Sequence, residues 1–293
     1  MPRPAMRPSS LVSGPFRGTD AVHRGLLTRD QLRGRAWCRL FPDVYCDARL
    51  PATHMLLCRA GCLAVPRAVV TGRSAAVLWG VDLAGTTDTV ELTVPPGSSA
   101  RTLTGVRVRR ARLTPEEVTR RRSLPVTTPL ATAVEVARTS VDLEGAVIAL
   151  DRLVVSGVVD LDAVRRAAHL TTGRGCGQLR RAADLADGLA ESPQETRLRL
   201  LLGGSGLPRP VAQHRIVVAG VVLARVDFGW PERKVAVEYD GSWHAEPGQF
   251  AKDRRRLNRL TAAGWRIVFV TAADLYHPAE LVARIAAALA FLP

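Results

Sequence analysis

Three acids in the last third of the chain are placed for chemistry. Asp227 follows the apolar run VVLARV, and Glu238 and Asp240 close the next run, KVAVEYD. Side chains alternate with period two along a strand, so Glu238 and Asp240 point the same way. The link FGWPERK is short and carries Pro231, so the two runs read as a hairpin with Asp227 beside the other two acids. Converging carboxylates repel one another unless a cation sits among them. Oxygen-only donors select a hard ion, Mg²⁺ or Mn²⁺, and such an ion activates water and stabilises charge on a phosphate. Asp227, Glu238 and Asp240 are therefore the expected metal ligands. Asp227 alone also suits a turn cap. Two acids on one face of an apolar strand have no equally simple structural reason.

The elements that must hold these acids are legible around them. In ESPQETRLRLLL, Ser192 is a good N-cap, Pro193 takes the first helical position and Glu195 falls three after the cap. That spacing predicts a capping box and a helix ending at Gly203-Gly204. Glu195 has two readings, as cap acid and as a fourth acid of the site. Strands are expected over 211–219, 221–230, 234–240 and 265–271, with helices over 248–263 and near the C-terminus. The order α-β-β-β-α-β-α makes a complete α/β domain over residues 186–293.

Upstream, residues 1–18 are rich in Pro, Arg and Ser and are expected to be a disordered tail. MPRPAMRPSS lacks an apolar run behind it, so no signal peptide is expected. Residues 19–185 form a second region. Thr28 caps a short helix. WCRLFPDVYCD reads as a helix ending before Pro42 and a short strand through Val44 and Tyr45, compatible with a truncated winged helix. AVVTGRSAAVLWGVD has a helical period, TVELTVP and GVRVRRA alternate as strands, and three amphipathic segments between residues 129 and 170 read as helices. The fold class is α/β.

The formal net charge is +14, and every basic residue except Lys234 and Lys252 is Arg. Nucleic acid is the natural partner of such a chain, although an Arg-, Ala- and Gly-rich composition also follows from GC-rich coding. The local runs are more telling. Arg107, Arg109 and Arg110 cluster on one strand, and Lys252, Arg254, Arg255 and Arg256 on one helix. These are the DNA-contact candidates, against the plainer reading of solvated faces and, for Arg256, an ion pair with Asp253. No apolar run is long enough to span a membrane. Five sparse cysteines suit a reducing, cytoplasmic setting. Cys58 and Cys62 read as small buried hydrophobes rather than zinc ligands.

With these residues in view, the C-terminal hundred residues resemble the PD-(D/E)XK, or restriction-endonuclease-like, superfamily. VEYDGSWH followed by DRRRLNRLTAAGWRIVFVT is similar to the branch near the very-short-patch repair endonuclease (Vsr). It is more similar still to an uncharacterised endonuclease-like domain of bacterial genomes. The resemblance implies that Asp227 is the metal-binding Asp, Glu238 the acid of the (D/E)XK motif and Glu195 the helix acid. It implies that His244 assists proton transfer, against the plainer reading of a loop histidine. Asp240 stands where the family has Lys. It is a further metal ligand, or the cationic role passes to Lys252 or Arg256, or the site is degenerate. GLLTRDQL, LFPDVYCDARLP and AVVTGRSAAVLWGVD are similar to proteins with an AbiEi-like antitoxin or regulator region ahead of a nuclease domain. Together these imply a DNA-binding protein with a metal-dependent endonuclease domain. The alternative is a non-catalytic, antitoxin-like regulator that binds DNA.

Overall fold

The computed structural model describes residues 7–101, 103–240 and 249–290, with the backbone alone at 249–253. The chain divides into two compact units: residues 1–141 with 156–180, and residues 142–155 with 181–293.

The first unit begins earlier than its composition suggests. Within the expected tail, Leu11 is buried, and Phe16 packs edge-on against Trp37 with ring centroids 5.1 Å apart. Phe16–Arg17 forms strand β1, ahead of helices α1 (Gly18–His23) and α2 (Arg29–Leu32). A few buried aromatic contacts offset the chain entropy that polar composition alone would leave free. Thr28 caps α2 as expected, with Gln31 completing a capping box. The helix expected over Trp37–Phe41 is instead a strand, β2 (Trp37–Phe41), paired antiparallel with β3 (Val44–Asp47). Trp37 and Phe41 are buried and the residues between them face outward or half outward. Asp43, at φ 60°, makes the tight turn. The small sheet runs β1-β3-β2.

A second sheet of the first unit runs β6-β5-β4-β8-β7. Its elements are α3 (His54–Ala64), β4 (Val69–Val70), α4 (Gly72–Trp79), β5 (Val90–Val94), β6 (Val106–Arg110), β7 (Val118–Arg121), β8 (Leu124–Thr127) and α5 (Pro129–Thr139). The β7–β8 hairpin and α3 carry no clear sequence signal. Val70, Val90, Leu92, Val94 and Val126 supply much of the core.

Helix α6 (Leu143–Val155) belongs to the second unit, although the sequence groups it with the region before residue 186. Asp151 explains why. It is fully buried on the apolar face of α6 and accepts bonds from Thr196 Oγ1, Arg199 and the backbone N–H groups of Asp187 and Gly188. Helix α7 (Leu161–Leu170) returns to the first unit, and the chain passes into the second within α8 (Cys176–Leu185).

The second unit continues with α9 (Pro193–Gly204), β9 (Val211–Val218), β10 (Val221–Trp230), β11 (Val235–Tyr239), α10 (Gln249–Ala262), β12 (Arg266–Val270), α11 (Ala272–Leu275) and α12 (Pro278–Ala290). The strand order is β12-β11-β10-β9. β9, β10 and β11 pair antiparallel and β11 pairs parallel with β12. One cluster packs Leu198, Phe228, Val237, Val270 and Ile285, and another packs Ile216, Val226, Ala236, Leu260 and Trp265. Each fully buried aliphatic side chain contributes about 1.5–3 kcal/mol, enough to hold the sheet end rigid. Among the described residues, no helix is long and apolar enough to cross a membrane.

Candidate active site

The expected hairpin forms, and its register is informative. β10 and β11 pair through Phe228↔Val237, Gly229↔Ala236 and Trp230↔Val235. The next rung sets Asp227 opposite Glu238, and there the ladder stops. Tyr239 N–H donates to the Asp227 side chain, Oδ2, at 2.7 Å. β10 goes on pairing with β9 through Val226↔His214 and Arg225↔Arg215, while β11 goes on with β12 through Tyr239↔Val270. The sheet therefore forks at Asp227, and the acids sit at the branch. Asp227 lies inside β10 rather than at its end. What ends there is the pairing with β11.

Each acid meets a different environment. Asp227 is half-buried, and its carboxyl is pushed up to about 6 by burial, against the opposing Tyr239 N–H bond, with Glu195, Glu238 and Glu191 raising it further. Glu195 is buried at 8% exposure. Ser192 caps its helix, accepting from the Glu195 N–H at 3.2 Å. The return bond of the expected capping box is displaced. Glu195 Oε2 accepts from the Glu191 N–H at 2.9 Å and from Gln213 Nε2 at 3.1 Å. The acid is thus both a helix-start anchor and a neighbour of Asp227.

Glu238 is held by Arg256 of α10. Nη1 donates to Oε2 at 3.0 Å and Nη2 donates to Oε1. Nη2 also reaches the Arg225 carbonyl at 3.3 Å, so one guanidinium ties both branches of the fork. Asp240 differs from expectation. β11 ends at Tyr239, and Asp240 is exposed beyond it, its N–H donating to the Val270 carbonyl at 2.7 Å. Among the described residues, no group of three or more His, Cys, Asp or Glu side chains is arranged to hold a metal ion. His244, and the side chains of Lys252 and Asp253, lie outside the described residues.

The arginine candidates separate by surroundings. Arg107 binds Glu91. Arg109 Nη1 lies 2.8 Å from Glu135 Oε1. Arg110 donates to the carbonyls of Ser98 and Ala100 at 3.1 and 2.7 Å. That run is engaged with the protein's own acceptors. Arg254 and Arg255 are exposed on α10, and Arg256 is half-buried on Glu238. The cysteines are all free thiols. Burial pushes Cys58 up to about 12 and Cys62 to about 11, which suits packing and opposes metal ligation.

Two proteins of Mycobacterium tuberculosis are similar to this chain: Uncharacterized protein MT2308 of strain CDC 1551 / Oshkosh and Uncharacterized protein Rv2248 of strain ATCC 25618 / H37Rv. Each is 36% identical over 220 residues, covering 73% of this chain and 78% of the relative. The chain belongs to their family. No family model matches the chain, and no solved structure matches it.

For this family member, the fork gathers acidic side chains where β10 and β11 part. Arg256 compensates Glu238 among them. All the side-chain donors are oxygens, the chemistry that suits a hard divalent ion. The sequence singles out Asp227, Glu238 and Glu195, which the structure places around the fork. Sequence reasoning missed Glu191, Gln213 and Arg225. Gln213 is brought in by a positive φ of 49° inside a strand, which no sequence pattern announces. Glu191 stands one residue before a recognisable N-cap and had a readable signal.

Proposed function

We propose that the chain is a DNA-acting protein whose second unit is a metal-dependent phosphodiester hydrolase of the restriction-endonuclease-like type. The observation that carries this reading is the placement of Asp227 at the fork, one rung beyond the last β10–β11 pair and opposite Glu238, with its carboxyl raised chiefly by burial and further by Glu195, Glu238 and Glu191. A carboxylate left in that field favours a bound cation. The charge and the donor types fit Mg²⁺ or Mn²⁺. Asp227 and Glu238 would hold the ion, with Glu195 behind them and Asp240 at the exposed rim. When bound, such an ion supplies an activated water and offsets charge on the phosphate. The chain's own part is to fix Asp227 through the Tyr239 N–H, to keep Glu195 oriented through Gln213, and to supply positive charge from Arg256. His244 is assigned the proton transfer. The order of strands and helices in the second unit supports the type. Two short helices followed by the β2–β3 hairpin in the first unit support a small winged-helix, AbiEi-like region. Five free thiols support a cytoplasmic setting.

A second reading rests on the Arg256–Glu238 pair. If that pair is permanent, the fork is an ion-paired relic and the chain is a DNA-binding regulator without catalysis. One experiment separates the two. Full-length protein is incubated with supercoiled, mismatched and branched DNA in Mg²⁺ or Mn²⁺, then in EDTA, beside Asp227→Ala. Cleavage that needs metal and Asp227 is expected. DNA binding without metal-dependent cleavage on any substrate favours the regulator and overturns the hydrolase.

A further inference from the structure

Beyond the fork, β9 and β10 continue as a two-stranded ribbon. Its register runs Val226↔His214, Arg225↔Arg215, Val222↔Val217 and Val221↔Val218. Ala219 and Gly220, both with positive φ, form the tight turn at its tip. From Asp227 to Val221 the ribbon reaches about 20 Å past the acids. Its root is anchored, with Ile216 and Val226 buried against Leu260 and Trp265. Its tip is bare. Val217, Val218, Val221 and Val222 are 52%, 42%, 60% and 44% exposed.

Between tip and fork lies a like-charged pair. Arg215 and Arg225 are direct cross-strand partners, an arrangement that destabilises a ladder. Arg225 has a 2.7 Å partner in Glu191, but both side chains of that bridge are more than half exposed, so it is weak. Arg215 is exposed. Two cations facing each other on a ribbon beside a phosphate-chemistry site call for an anion between them. A bare apolar tip beyond them calls for an apolar slot. Duplex DNA offers both in one ligand. A β-ribbon can lie in the minor groove, where apolar side chains wedge between base steps and kink the duplex.

We propose that the β9–β10 ribbon is a DNA arm, with Arg215 and Arg225 on backbone phosphates next to the bond presented to the fork and the valine tip inserted into the groove. This rests on the reading of the chain as DNA-acting. A purely apolar protein surface would leave the arginine pair without acceptors.

The test measures binding, not cleavage. Full-length protein in EDTA is titrated against a fluorescent duplex carrying 2-aminopurine, over a range of salt, by anisotropy and by base fluorescence. The variants are Arg215→Ala, Val218→Thr and Val221→Thr. The threonine changes keep shape and strand preference at exposed positions, and circular dichroism checks the fold. Arg215→Ala is expected to weaken binding about tenfold and to lower the salt slope by about one. The threonine variants are expected to abolish the 2-aminopurine signal while keeping that slope. Unchanged affinity, slope and base signal in all three variants, with a wild type that binds, overturns the arm and leaves the hydrolase reading standing. A wild type that binds no duplex overturns both. Threonine variants that turn a dimer into a monomer by light scattering, with DNA affinity unchanged, assign the tip to a second copy of the chain and also overturn the arm.

Discussion

Replacing Asp227 by Asn should make the protein more stable and inactive at once. The ordinary aspartate value is 3.8 and the folded value is about 6. Below 3.8 the carboxyl is neutral in folded and unfolded chains alike, and it carries no penalty. As pH rises from there to about 6, the unfolded chain has released the proton that the folded chain keeps, and stability falls. Above about 6 the folded chain holds a half-buried charge and the full penalty is present. That gap corresponds to at most about 3 kcal/mol, and solvent at the open side of the carboxyl lowers it. Asn keeps an oxygen to accept the Tyr239 N–H, so the charge is removed with the geometry retained. With a urea dependence of about 1–3 kcal/mol per molar for a unit of this size, the unfolding midpoint at pH 7.5 should rise by on the order of 1 M. At pH 4 the difference should have largely vanished. Mg²⁺ should raise the wild-type midpoint at pH 7.5 and leave Asp227→Asn unmoved, because only a ligand that binds the folded site stabilises it. The assay is urea denaturation of the full chain followed by tryptophan fluorescence, at both pH values and with and without Mg²⁺. An Asn variant no more stable than wild type at pH 7.5, or more stable by the same amount at pH 4, would refute the reasoning.

Three further outcomes follow from other contacts of the protein. Asp151→Ala should destabilise the second unit by about 3 kcal/mol, read as a midpoint shift, because it leaves Arg199 with Asp187 alone as its acid and takes the buried acceptor from Thr196 Oγ1 and the N–H groups of Asp187 and Gly188. Arg256→Met should leave Glu238 uncompensated and move the fork's apparent pKa upward, visible as a larger loss of stability at pH 7.5 than at pH 5. Thiol labelling of the native protein at pH 8 should modify exposed Cys38 within minutes and spare Cys58 and Cys62, with all five cysteines labelled in denaturant.

What could be read from the sequence divides along physical lines. The strands of the second unit are legible because long apolar runs allow one reading, and the hairpin that brings Asp227 beside Glu238 follows from the short link between them. Trp37–Phe41 was misread because five residues with buried ends fit either period, and only pairing with Val44–Asp47 decides between them. The ordered segment around Leu11 and Phe16 was hidden because two buried side chains do not change the composition of a polar stretch. Asp151 carried a usable signal, an acid on the apolar face of a helix, whose meaning lies in residues far along the chain. The Arg256–Glu238 contact depends on how α10 crosses the sheet, which no local pattern encodes.

That contact bears directly on how the site could work. A guanidinium that binds Glu238 on one branch and the Arg225 carbonyl on the other holds the fork closed in charge as well as in shape. It does not reach Asp227, whose carboxyl burial and three neighbouring acids push up. A cation entering beside Asp227 competes with Arg256 for Glu238, and a guanidinium displaced from a carboxylate is well suited to a phosphate, whose paired oxygens present similar geometry. DNA and metal should then bind cooperatively, each favouring the arrangement in which Arg256 has left Glu238. In the regulator reading no such exchange occurs, and DNA affinity is independent of Mg²⁺ once ionic strength is matched. Duplex affinity of Asp227→Asn, measured with and without Mg²⁺ beside wild type, distinguishes the two, because coupling in the wild type alone requires the carboxylate at the fork.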